Sequence, residues 1–122
     1  MMRALAILVL AVGTGAVVLA HHSSAMYDQA KTVTLRGVVT QVRWTSPHVN
    51  VSLQTDAAQG QPGAAWVLEA TSPGNLARAG WTRTSIKAGD RISVVVAPLR
   101  DGTHGGWCRG VTLLASGKKL EC

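Results

Sequence analysis

An apolar run near the start of the chain determines which residues can belong to the folded domain. The residues from Ala4 to Ala20 are mostly apolar, and a single basic side chain, Arg3, precedes them. A basic start, an apolar centre and a small residue before the cut are typical of a secretory signal peptide. We therefore expect residues 1–20 to be a leader cleaved after Ala20, and residues 21–122 to fold as a single domain.

A transmembrane anchor is the alternative interpretation of this run. Its 17 residues lie at the lower limit for crossing a bilayer, and Gly13 and Gly15 interrupt it. No cysteine directly follows the run, so the lipid attachment of a bacterial lipoprotein is not indicated. We expect a periplasmic or secreted protein with no stable membrane anchor after cleavage.

Cleavage after Ala20 would make His21 the first residue of the exported chain. Its free α-amine and its imidazole then form a chelate suited to a soft or borderline metal such as copper. The metal-ligand candidates are His21, His22, His48 and His104.

Size and charge restrict the function of the exported part. Removal of residues 1–20 from the 122 leaves 102, enough for one hydrophobic core. Removing Arg3 leaves 11 basic and 6 acidic side chains, a net charge of +5 with histidines neutral. The basic residues are scattered and export is expected, so we predict a solvated basic surface and no nucleic-acid partner.

Two cysteines, Cys108 and Cys122, belong to the exported part. An oxidising compartment favours a disulfide between them, which would fix the C-terminus to the last long strand. Their alternative use as soft metal ligands requires the reduced thiols.

Alternation of apolar and polar residues predicts a mainly β protein. The expected strands are Thr32–Trp44, His48–Thr55, Ala65–Thr71, Arg91–Leu99 and Trp107–Leu114, followed by a short final segment. The apolar phase slips within the first strand, and Gly37 is expected to absorb the slip as a bulge or bend.

One short helix is predicted between the third and fourth strands. Ser72 is a good N-cap, proline follows it at the first helical position, and Gly80 is a good terminator, so the helix should span Pro73–Ala79. Five strands with this insertion predict a small OB-like barrel of five to six strands, with a β-sandwich as the alternative.

An OB-like barrel would bind its ligand on the outer face of strands two and three, beside two loops. His48 lies at the first of these loops and His104 in the second, so the two can approach each other. The candidate ligand-binding residues are His48, Asn50, Glu69, Arg100, Asp101 and Trp107. The alternative is that strand two simply turns its polar side to water.

The tryptophans have different expected places. Trp44 and Trp66 are in phase with apolar neighbours and should pack in the core. Trp107 borders a glycine-rich loop and is the best candidate for a surface ring that stacks on a ligand, with core packing as its alternative.

Several motifs together resemble a family of small exported bacterial proteins, domain of unknown function 6152. They are the strand Lys31-Thr32-Val33-Thr34-Leu35, the loop Trp44-Thr45-Ser46-Pro47-His48, the turn Gly80-Trp81-Thr82 and the stretch Pro98-Leu99-Arg100-Asp101-Gly102. The resemblance covers nearly all of the exported part. It implies export and one small β domain, and it implies no activity.

Three functions fit the sequence. The first is a periplasmic binding or accessory module for a small molecule, a peptide or an envelope protein. The second is a protein that binds copper or another transition metal, and the third is a structural envelope-associated protein. Because no nucleophile turn, phosphate loop or zinc-protease motif occurs, we expect no enzyme, with copper-dependent redox chemistry through His21 as the exception.

Overall fold

A computed structural model describes residues 24–122 of the chain. Its elements, in chain order, are a 3-10 turn Ser24–Met26, β1 Val33–Arg43, β2 Asn50–Thr55, β3 Ala65–Glu69, α1 Pro73–Arg78, β4 Arg91–Pro98, β5 Gly105–Leu113 and β6 Lys119–Glu121. The predicted leader, residues 1–20, lies outside the described residues, as do His21 and His22. In the part described, no helix is long and apolar enough to cross a bilayer.

Five of the strands close into a barrel. Antiparallel neighbours follow the order β3-β2-β1-β4-β5, and a parallel pairing between β3 and β5 joins the two ends. The sixth strand, β6, pairs with the far half of β5, and α1 lies between β3 and β4 in the chain. This arrangement confirms the predicted OB-like barrel.

The barrel interior is filled by the apolar positions of the alternating strands. From Arg91 to Val96 in β4, the buried residues Ile92, Val94 and Val96 alternate with less buried ones, as expected for a strand with one face in the core. The centre is completed by buried residues of β1, β2 and β3, namely Val39, Val51, Leu53 and Leu68. Trp44 and Trp66 are partly buried and pack against this cluster, so both tryptophans lie at the edge of the core and not in its centre.

The irregularity of β1 lies three residues beyond its predicted place. The register with β2 shifts between Val39 and Gln41, so Gly37 does not form the bulge. Gly37 instead pairs with β2 on one side and β4 on the other, and a Cβ there would collide with the backbone of Gln54. The glycine therefore allows close approach of two strands and does not bend the first.

The short helix begins as predicted and closes one end of the fold. The Ser72 hydroxyl accepts a hydrogen bond from the backbone N–H of Asn75 at 3.2 Å, which satisfies a free donor of the first turn. Leu76 is fully buried, and Trp81 beyond the helix donates its indole N–H to the carbonyl of Glu121 at 2.6 Å. The helix end is thus tied to β6.

Residues 24–32 form a segment that we call the N-terminal strap. The backbone N–H of Asp28 donates to the carbonyl of Pro98 at 2.8 Å, and Arg100 Nε donates to the carbonyl of Ala25 at 2.9 Å. Arg109 on β5 donates to the carbonyl of Gln29 at 2.6 Å. The strap therefore lies across the end of β4 and along β5.

A disulfide joins β5 to the C-terminus, as predicted. Cys108 on β5 and Cys122, directly after β6, are bonded with their Cα atoms 5.6 Å apart. Cys108 is buried, so this bond adjoins the core.

Candidate functional site

Glu69 lies at the end of β3 on the outer face of the barrel. Leu68 beside it is buried, and alternation turns the carboxylate outward. In the sheet, Glu69 pairs with Asn50 on β2 and with Trp107 on β5. Three strands thus meet around this carboxylate.

Both oxygens of the Glu69 carboxylate have partners. The Tyr27 hydroxyl donates to Oε2 at 2.5 Å, and His48 Nδ1 contacts Oε1. The side chains of Glu69 and His48 are 17% and 30% exposed, so the pair is reachable from solvent but largely shielded from it. A contact in such a place is partly withdrawn from the solvent that would otherwise compete for both side chains.

Tyr27 is the buried member of this group, with 4% of its surface exposed. Burial raises the pKa of its hydroxyl well above the usual range, and the hydrogen bond to Glu69 and the negative charge of Glu69 act in the same direction. The phenol therefore remains a neutral donor to the carboxylate in any physiological medium.

An indole fixes the two rings that flank the carboxylate. Trp107 meets the Tyr27 ring at 5.9 Å between centroids and an angle of 55°, and it meets the His48 ring at 5.4 Å and 88°. Both arrangements fall in the range favoured by aromatic pairs. We call Tyr27, His48, Glu69 and Trp107 the Glu69 cluster.

The cluster presents one imidazole nitrogen in a defined orientation. Because Nδ1 of His48 faces Glu69, Nε2 is the nitrogen left for a further partner. A carboxylate at Nδ1 fixes the tautomer and ring position of a histidine, and metal-binding histidines commonly carry such a partner. The cluster can therefore offer a hydrogen bond or a metal ligand at Nε2.

His104 belongs to a different group of side chains. Its ring stacks on Trp66 at 5.1 Å and 23°, and its carbonyl accepts the backbone N–H of Val67. Trp66 and Glu69 are three residues apart on β3, about 10 Å along a strand. The structure thus places His48 and His104 at two ends of β3. Within residues 24–122, no three side chains of His, Cys, Asp or Glu are grouped to hold a metal.

The other predicted binding residues have structural partners. Asn50 donates its side-chain amide to the carbonyl of His48 at 3.3 Å, which supports the loop before β2. Arg100 holds the N-terminal strap through Ala25. Asp101 accepts two hydrogen bonds from Thr103, and these lower the pKa of its carboxyl. A ligand-binding role for these residues stays a prediction.

Tyr27 is the cluster residue that the sequence did not indicate. It follows the predicted cleavage point by seven positions and has no regular apolar neighbours. Its single signal is that it is the only tyrosine of the chain, and this does not reveal a contact 42 residues away along the sequence.

Comparison with known proteins gives one match. A model of a family of unknown function, DUF6152, matches residues 8–108, from the predicted leader to Cys108 on β5. No curated protein and no solved structure matches the chain. The matched segment contains all four residues of the Glu69 cluster.

Proposed function

The chain belongs to this family of unknown function, DUF6152, and we propose that it is an exported binding or accessory module whose partner docks at the Glu69 cluster. The role is binding and not catalysis. The observation that carries the proposal is the doubly engaged Glu69 carboxylate, which holds a partly exposed imidazole against an indole.

Placing the Glu69 carboxylate and its partners here costs free energy that an apolar side chain at the same position would not cost. An ionisable carboxylate on a half-buried strand loses hydration, and only fixed partners compensate for that loss. Substitution of the same positions by apolar residues would fill the space without this requirement. A preorganised polar group at a surface is typical of a recognition site.

The neighbouring surface favours a peptide or envelope protein as the partner. Val67 on β3 is 55% exposed, and it pairs with Ser52 on β2 and Gly105 on β5, which are both small. This part of the outer face is therefore shallow and partly apolar. An extended or flat partner can cover it and reach His48 at its end.

Photocrosslinking in the cells that produce the chain tests this function. With p-benzoylphenylalanine at position 67 in place of Val67, we expect a discrete adduct with the partner. An excess of the chain without the crosslinker should suppress this adduct by competing for the partner. The same excess of the Trp107→Ala variant should suppress it poorly. The matched control carries the crosslinker at Lys118, in the turn between β5 and β6. Equal adducts at both positions, or none at Val67, would favour the structural envelope role instead.

Copper binding is the second candidate, and the position of Tyr27 favours it. Tyr27 and His48 contact the same carboxylate, so the Tyr27 side chain links the N-terminal strap to the surroundings of His48. Ser24–Met26 form a 3-10 turn, so residues 21–23 are the chain that would have to bring the terminal amine and imidazole to His48 Nε2, over a distance of up to about 10 Å. Such a nitrogen donor set suits Cu²⁺.

Calorimetric titration with Cu²⁺ tests the second candidate. A chain that begins at His21 should bind one ion tightly, and one extra residue before His21 should weaken binding at least about tenfold by removing the amine ligand. His48→Gln should weaken it as well, whereas His104→Gln should not. Unchanged affinity after the extension excludes the terminal chelate.

A further inference from the structure

A groove of about 690 Å³ opens at the end of β3 away from the Glu69 cluster. Its walls come from the start of β1, the start of β3 and the loop that joins β2 to β3. No residue of the Glu69 cluster lines it. The volume falls in the range of sites that hold small organic molecules.

One wall of the groove is flat and aromatic. The rings of Trp66 and His104 stack at 5.1 Å with 23° between their planes, and both line the groove. Leu35, Pro62 and Ala64 add apolar surface around them. A planar apolar group can therefore pack here with most of its surface removed from water.

Two charged side chains, Arg36 and Asp56, line the groove. Asp56 is paired with Arg91, whose guanidinium donates to it at 2.5 Å. Arg36 on β1 also lines the groove, and among the contacts of residues 24–122 its guanidinium forms no hydrogen bond or ion pair. With Asp56 compensated, the Arg36 guanidinium is the charge available to a ligand. Such a group binds a carboxylate through two parallel hydrogen bonds.

We propose that this groove binds a small organic anion with a planar apolar ring and a carboxylate, the ring against Trp66 and His104 and the carboxylate at Arg36. The site is separate from the Glu69 cluster. Binding in this groove does not depend on whether the Glu69 cluster binds a partner.

Two matched probes test the proposal on the folded chain. We expect 2-naphthoate to bind with a measurable Kd and to shift the backbone amide signals of the β2–β3 loop and of His104 in a proton–nitrogen NMR spectrum. The uncharged 2-naphthamide should bind at least about tenfold more weakly, since it lacks the charge that Arg36 recognises. Acetate, which lacks the ring, should not bind in the millimolar range.

Three variants locate the binding energy. Arg36→Gln should weaken 2-naphthoate binding about tenfold or more, and the matched Arg43→Gln, on the same strand but outside the groove, should leave it unchanged. His104→Ala removes the exposed half of the stacked wall without cutting into the core and should also weaken binding. Equal binding of naphthoate and naphthamide, signal shifts elsewhere on the barrel, or no binding of naphthoate at millimolar concentration would each overturn the proposal.

Discussion

Tyr27 links the start of the described chain to the candidate site. Its hydroxyl is the only connection between the N-terminal strap and Glu69 among the side-chain hydrogen bonds of residues 24–122. Because it is also the only tyrosine of the chain, any tyrosinate signal reports on this one contact. The residue is therefore both part of the cluster and its natural probe.

The raised pKa of Tyr27 can be measured directly. Alkaline titration followed by tyrosinate absorbance should show no ionisation of the native chain near the ordinary tyrosine value of about 10. Glu69→Gln should lower the pKa of Tyr27, because the charge is lost, but burial should keep it above that ordinary value. A native titration with an ordinary midpoint would contradict the buried, hydrogen-bonded phenol.

The same shift predicts how stability changes in alkali. The folded chain holds the Tyr27 proton more tightly than the unfolded chain, so this contribution is fully present below pH 10. Above that pH the unfolded state ionises first, and the free energy of unfolding should fall by up to about 1.4 kcal/mol per pH unit. Denaturant unfolding at pH 9 and 11 measures the loss. Tyr27→Phe should remove this part of the pH dependence, and an unchanged slope would assign it to other groups.

At the scale of elements, Gly106 shows how tightly β4 and β5 are packed. A Cβ at this position would lie 2.8 Å from the Cβ of Val96, a fully buried side chain on the neighbouring strand. Gly106→Ala should therefore lower the free energy of unfolding by about 1–3 kcal/mol through overpacking. Chemical denaturation of the two chains gives the difference.

Gly74 in α1 is the matched control for this substitution. A Cβ there would meet no atom within 4 Å. Gly74→Ala should be neutral or stabilise the chain by up to about 1 kcal/mol, because alanine restricts the unfolded state and favours the helix. Equal destabilisation by both substitutions would mean that the effect at Gly106 is not steric.

The elements that local pattern determines could be predicted from the sequence. The alternation of β4 and the Ser72 cap define their elements within a residue or two, because both depend on neighbours along the chain. Gly37 is not the bulge that the apolar phase predicts, since its role is a close approach to Gln54 that only the folded sheet shows. The local pattern does not indicate the N-terminal strap either, because long-range hydrogen bonds such as that of Arg100 hold it in place.

At the scale of the molecule, the candidate site depends on the closure of the barrel. Tyr27 comes from the strap, His48 from the loop before β2, and Trp107 from β5, whose parallel pairing with β3 completes the barrel. Sequence position could place His48 and Glu69 near one face from the fold type alone. Sequence position could not place His104 at the other end of β3, because that depends on where the loop between β4 and β5 meets β3.

The disulfide should stabilise the whole fold. It closes a segment with a separation of 14 residues, for which the loss of unfolded-chain entropy is worth about 3 kcal/mol. It also secures β6, to which Trp81 is hydrogen bonded. The double variant Cys108→Ala and Cys122→Ala should lose about this amount in denaturant unfolding. Added reductant should not lower the free energy of unfolding of this double variant any further. A large decrease would mean that reductant destabilises the chain by a route other than breaking this disulfide.

The copper candidate depends on where the predicted leader is cleaved. Mass spectrometry of the exported protein should show a chain that begins at His21, since a small residue at position 20 suits the processing enzyme. Ala20→Tyr should block this cleavage, and the matched Ala16→Tyr, four residues earlier in the apolar run, should permit it. A first residue other than His21 would remove the amine ligand and with it the copper candidate. The Glu69 cluster would keep its geometry in that case, because its contacts begin at Tyr27.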